Sequence, residues 1–282
     1  MSTSPDQITH IILPAQLSEE QRRMLVAQSQ AQGSLTQREW VAALAVFDLL
    51  HTGQVIWQGE TLPFSTFYTR AIDAAHATGF LEQLLTTADA EAEGRRLMLL
   101  HWQQIRTALT ALGVTGETVE GRVLLAYCLY WWQSFSKGYI REVAVFRALA
   151  QAGIAFEAHD LRDPVARRSA YDLVVLGRYG DVKTSTYFVH TARAFPLRCD
   201  FYLVRMWDNV ARQWIDLVLL TPDAWHELDG EPVPCSWEMV AQLLPTVVQV
   251  IVRGETLVVV PYELWQTGVL RKQALQRKEE NR

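Results

Sequence analysis

The chain has 282 residues, 49% of them hydrophobic and 20% charged, with a formal net charge of −5, which allows one large or two modest domains with a real core. No apolar run approaches the roughly 18–20 residues of a bilayer span, and MSTSPDQITHIILPAQLSEEQ has no basic stretch leading into an apolar one. Cys128, Cys199 and Cys235 stand without CxxC or Cys/His pairing, so no membrane span, secretory leader, disulfide framework or zinc knuckle is expected, and the setting is a reducing cytoplasm.

In chain order, the first 130 residues read as mostly helical. LSEEQRRMLVAQSQAQG, TQREWVAALAVFDLLHTG, STFYTRAIDAAHATGFLEQLL and AEGRRLMLLHWQQIRTALTALG carry apolar residues at helical spacing between Gly- or Thr-bearing breaks. Thr36 and Ser65 are the expected N-caps, QVIWQGETLPF reads as a small hairpin, and residues 18–50 hold a candidate helix-turn-helix that their acidic charge disfavours. VEGRVLLAYCLYWWQSF is an aromatic-rich helix ending near Ser136-Lys137-Gly138, and the ten tryptophans are expected mostly in the core.

From Gly138 the pattern changes. GYIREVAVFRALAQAG is one more helix, and IAFEAHDL, AYDLVVL, GDVKTSTYFVH, RCDFYLVRMWD and QWIDLVLLTP read as strands. After the loop LDGEPVPCSW, a helix WEMVAQLLP leads to a hairpin, VVQVIV-RGET-LVVVPYEL, and a charged closing helix. The expected fold class is α/β (α+β): a helical domain over 1–130 for substrate or partner binding, then a mixed-sheet domain over 131–282 flanked by helices, with the C-terminal hairpin and helix.

Charge is uneven. Residues 137–212 hold 12 Lys/Arg against 8 Asp/Glu, and the remainder 14 against 23. The cation-rich stretch permits a phosphate-binding surface. Only four of the 26 basic residues are lysine, and Lys183 is the one embedded in a strand, where a compact ammonium differs in use from a guanidinium fork. Strand alternation puts Asp181 and Lys183 on one face. If the chain reverses tightly at Leu176-Gly177, Asp172 comes opposite Asp181. Were 177–180 instead a four-residue loop, Asp172 would face Ser185, roughly 13 Å of strand from Asp181. Glu142 borders the apolar stripe Tyr139, Val143, Phe146, Ala150 and has no Lys or Arg at i±3 or i±4, so it must find a partner in the tertiary structure.

The order helix Glu142, strand Asp172, then Asp181-x-Lys183 resembles the restriction-endonuclease-like, PD-(D/E)XK nuclease superfamily over roughly residues 138–220, with Tyr171 where a proline usually precedes the first aspartate. The resemblance implies a restriction-endonuclease-like sheet core and a Mg²⁺- or Mn²⁺-dependent phosphodiesterase acting on nucleic acid, DNA before RNA. It implies catalytic roles for Glu142, Asp172, Asp181 and Lys183. Asp172, Asp181, the Val182 carbonyl and Glu142 would hold the metal, and Lys183 would orient the attacking water. Arg141, Arg178, Thr184 and Ser185 are candidate nucleic-acid contacts, with Arg167, Arg168, Arg193 and Arg198 as further arginines. His159, between Ala158 and Asp160 in FEAHDL, is a candidate ligand or simply a strand-end residue. The bland reading is an edge-strand Asp181–Lys183 ion pair, with Glu142 bridged to Arg178 or Arg141. On that reading the chain is a non-catalytic interaction subunit of a defence, repair or mobile-element complex. A homodimer or larger complex is compatible with either reading.

Overall fold

The computed structural model describes residues 7–163, 165–184, 197–208, 212–229, 251–252 and 255–280. It is mixed α and β, a helical N-terminal region followed by a sheet core, and it divides into two compact units, Met1–Ile140 and Arg141–Arg282. Among the described residues, no helix is long and apolar enough to cross a membrane.

In the first unit, strands β1 (Ile8–Ile12), β2 (Gln54–Trp57) and β3 (Glu60–Pro63) form an antiparallel sheet in that order. The expected hairpin is β2–β3, closed by Gln58 and Gly59 with φ of 53° and 78°, the left-handed pair that a two-residue hairpin turn requires. Around it run α1 (Glu19–Gln28), α2 (Gln37–Leu50), α3 (Phe64–Tyr68), a π-helical turn Thr69–Asp73, α4 (Ala74–Thr86), α5 (Ala90–Ala111) and α6 (Val119–Gln151). Capping boxes start two of them, Ser18 with Gln21 on α1 and Thr36 with Glu39 on α2, each satisfying orphan amides of the first turn. Trp102, Trp132, Phe64, Phe67, Phe80 and Tyr127 fill the core.

Three expectations change here. Ser65 lies inside the first turn of α3, whose N-cap is Pro63. Residues 29–36 separate α1 from α2, about twice the 3–4 residue turn of a helix-turn-helix, so that motif is not formed. The expected break at Gly138 is absent: α6 runs unbroken for 33 residues. An internal glycine costs only about 1 kcal/mol of helix propensity, and burial of Ile140, Val143, Val145 and Leu149 on its far side outweighs that. The unit boundary therefore falls within α6, at 140/141, where the sequence suggested 130.

The second unit is built on a six-stranded sheet of order β11-β8-β7-β6-β5-β4. Its strands are β4 (Glu157–Ala158), β5 (Leu173–Val175), β6 (Arg178–Lys183), β7 (Phe201–Asp208), β8 (Gln213–Leu220) and β11 (Val258–Pro261), with the two-residue strands β9 (Ile251–Val252) and β10 (Glu255–Thr256) paired apart. Only β6 and β7 run parallel. The expected C-terminal hairpin is thus split, its second half joining the main sheet beside β8. Helices α7 (Pro222–Asp229) and α8 (Tyr262–Glu280) pack on the sheet and on each other. The expected helix WEMVAQLLP and the part of GDVKTSTYFVH past Thr184 lie outside the described residues. Trp207 and Trp214 depart from the core expectation, 41% and 53% exposed, facing each other across β7–β8.

Gly180 explains how β6 sits so close to β7. It pairs with Phe201, whose buried ring lies over the glycine, and a Cβ there would come within 2.1 Å of the ring.

Candidate metal centre

The turn between β5 and β6 decides whether the carboxylates meet. Leu176 and Gly177 carry φ of 52° and 76°, the signature of a two-residue primed turn. Register follows: Leu173 pairs with Gly180, Val174 with Tyr179 and Val175 with Arg178. One step further out, the Asp172 amide donates to the Gly180 carbonyl at 2.9 Å, which leaves Asp172 beside Asp181, and the four-residue loop that would have parted them is not formed. Asp172 Oδ2 accepts from the Val182 amide at 2.7 Å, taking over an acceptor position at the strand end. Val182 thus enters the cluster through its N–H.

Asp181 and Lys183 share a face of β6, and Nζ lies 2.7 Å from Asp181 Oδ1 and 2.5 Å from Oδ2. β6 is an interior strand, so this is not an edge-strand pair. The Asp172 and Asp181 carboxyls lie close enough to interact electrostatically, and neighbouring carboxylates disfavour each other's ionisation. Burial pushes the Asp181 carboxyl up to about 7, with the neighbouring Asp172 adding to the rise against the pull of Lys183. Burial and the Glu142 charge push Asp172 up as well.

Glu142, on α6, is only 8% exposed. Its partner is His159, just after β4, with Nε2 3.4 Å from Glu142 Oε2. Neither atom makes an aligned hydrogen bond, and both are buried. The other ring nitrogen, Nδ1, lies 3.3 Å from the Tyr171 carbonyl and 3.9 Å from Asp172 Oδ1. A proton on Nδ1, directed at that carbonyl, leaves the Nε2 lone pair facing a carboxylate oxygen. Two lone pairs in a buried site need a cation between them, either a proton or a metal. Burial acts to lower the His159 pKa, but Glu142, Tyr171 and Asp172 outweigh it and hold it above the ordinary histidine value.

Ligand atoms of Glu142, His159 and Asp172 all lie within 4.8 Å of one another, a spread that small side-chain adjustments bring onto one cation. Asp181 stands beside this triad, held by Lys183 and Asp172. The compact donor set therefore differs from the expected one: His159 enters, and Asp181 sits next to the group. The buried Glu142 and His159 atoms that lack a hydrogen-bond partner, with an Asp172 oxygen close by, are donors that a divalent cation would satisfy, so the residues fit one.

The candidate nucleic-acid contacts fare differently. Arg141 is 9% exposed and donates to Asp216 at 2.7 Å. Arg178 forks onto Glu227 and reaches Asp200 at 3.3 Å. Both arginines are engaged within the fold, and neither meets Glu142. Thr184 is exposed, and Ser185 and Arg193 lie outside the described residues. No known family, no curated protein and no solved structure matches this chain.

Proposed function

We propose that this protein is a divalent-metal-dependent nuclease whose site comprises Glu142, His159, Asp172, Asp181 and Lys183. The observation that carries the reading is the convergence of three acids and an imidazole from α6, β4, β5 and β6, with an ammonium alongside. A stability role alone gives little reason to bury such a set: isolated charges are costly to desolvate, and a buried ion pair is weak evidence for stability.

Glu142, His159 and Asp172 would hold the cation, and an imidazole ligand favours Mn²⁺ over Mg²⁺, which prefers all-oxygen surroundings. When bound, the cation supplies Lewis acidity to the phosphoryl oxygen and a water of lowered pKa. Lys183, fixed by Asp181, would orient the attacking water toward phosphorus and offset charge on the phosphoryl oxygens. The bond to the leaving oxygen breaks as the new P–O bond forms, and a water proton neutralises the leaving group. DNA, with the PD-(D/E)XK resemblance behind it, is the substrate proposed.

The test combines Mn²⁺ titration by calorimetry with cleavage of labelled DNA. Wild type is expected to bind Mn²⁺ more tightly than Mg²⁺. Lys183→Ala should lower cleavage at least 10²-fold, the scale of a lost general acid–base or electrostatic group, with melting unchanged. Undiminished cleavage by that variant removes the mechanism. No Mn²⁺ heat in either protein favours the non-catalytic interaction subunit.

A further inference from the structure

Strand β6 presents Tyr179, Asp181 and Lys183 on one face. On the other, Gly180 and Val182 are buried, as are Leu173 and Val175 on β5. The face carrying the acids is open at this end of the sheet: Val174 is half-buried, Glu157, which pairs with it, is exposed, and Tyr179 is 47% exposed. Tyr171, the residue before Asp172, backs Tyr179 with ring centroids 4.5 Å apart and planes at 41°. Tyr179 is about 7 Å of strand from Asp181. Its backbone is pinned on both sides, since its N–H donates to Asp200 Oδ2 and its carbonyl accepts from the Asp200 amide, each at 2.8 Å.

We propose that Tyr171 and Tyr179 form a rigid stacking platform for an unpaired base flanking the scissile phosphate, so that the strand taken is single-stranded DNA; this rests on the nuclease reading of the adjacent acids. Two physical arguments favour an unpaired strand. In a duplex both faces of a base are already stacked, and reaching one requires flipping it out at a cost of a few kcal/mol, whereas a single strand offers free faces. A duplex-binding surface also relies on many phosphate contacts from Lys and Arg. Among the described residues, Lys183, Arg141 and Arg178 are each engaged with carboxylates, so stacking would carry more of the binding. The exposed Trp207–Trp214 pair, in register with the buried face of β7 and β8, stands on the opposite side of the sheet and does not serve this role.

The test is fluorescence anisotropy with a labelled 12-nucleotide DNA strand, the same sequence closed into a hairpin duplex, and the same sequence as RNA, with Ca²⁺ replacing Mn²⁺ so that cleavage does not interfere. The single DNA strand should bind tightest of the three. Tyr179→Leu should weaken it about 5- to 100-fold, the range for one lost base stack, while Tyr179→Trp retains it and hairpin binding changes less than twofold in either variant. Tyr171→Leu, with less exposed ring, should weaken it less. Tighter binding of the hairpin or the RNA overturns the proposal, as does single-strand binding by Tyr179→Leu within twofold of wild type. The two readings fail separately. A strand that binds through Tyr179 and is never cut in Mn²⁺ sinks the nuclease alone; cutting that ignores Tyr179 sinks the platform alone.

Discussion

The two units bury polar groups in opposite ways. In the first, the buried polar side chains among the described residues are the amides of Gln28 and Gln133, the hydroxyls of Ser29 and Ser136, and the His101 imidazole. Gln133, fully buried on α6, accepts from the Leu35 amide at 2.6 Å and donates to the Leu35 carbonyl at 3.3 Å, acting as a substitute for a neighbouring strand. Burial pushes His51, His76 and His101 below the ordinary histidine value, which favours their neutral form. The second unit uses the same glutamine device once, Gln273 on α8 holding both backbone groups of Ala155 at 3.0 and 2.7 Å. At its sheet, however, it sets the Glu142, Asp172 and Asp181 carboxyls close to one another and to the His159 imidazole. Polar burial in the first unit completes a fold. In the second it gathers like-charged groups whose mutual repulsion a cation would relieve, which is the basis of the metal-site proposal.

Substitution should break the comparison in opposite directions. Gln133→Leu orphans two buried backbone groups and should cost about 2–4 kcal/mol at every pH and metal concentration, read by urea denaturation; an unchanged midpoint would mean that water replaces the side chain. Asp181→Asn should do the reverse. A carboxyl whose folded pKa lies near 7, above its unfolded value near 4, contributes stability fully present below about pH 4 and lost as pH rises through 7. Metal-free wild type should therefore weaken between pH 4 and 8. The Asn variant should match it at pH 4 and exceed it by about 1–3 kcal/mol at pH 8. Saturating Mn²⁺ should stabilise wild type by about 2.7 kcal/mol at a hundredfold excess over Kd, and the Asn variant, which keeps Glu142, His159 and Asp172, by a similar amount. An Asn variant less stable than wild type at pH 8 without metal would show that the Asp181–Lys183 pair is a structural brace.

What could be read from the sequence follows from the range of each interaction. Strand alternation and helical spacing are local, so the mixed fold class and most elements of the second unit were legible. Glu142 was legible too, by the absence of any basic residue one turn away. His159 gave a weaker signal of the same kind, a histidine at a strand end, and its importance came only when the β4–β5 pairing brought it to Asp172. The fates of the arginines were not legible: Arg141 meets Asp216 75 residues away and Arg178 meets Glu227 49 away, and no spacing rule reaches that far. Gly138 misled for the opposite reason, since local punctuation was overridden by packing along α6.

The turn between β5 and β6 was the point that sequence left undecided, because leucine is a poor choice for a left-handed conformation, which costs a non-glycine residue roughly 1–2 kcal/mol. Leu176 is tolerated because its half-buried side chain packs against the core near Phe201 and Trp265. Leu176→Asn removes the backbone strain and loses the packing, two terms of similar size and opposite sign. Net stability should therefore shift by less than about 1 kcal/mol. Mn²⁺ affinity should stay within twofold, because the two-residue turn, kept by either side chain, is what brings Asp172 beside Asp181. A large loss of Mn²⁺ binding at unchanged stability would show that the register is held by the packing of Leu176, and that the turn's backbone geometry follows from it.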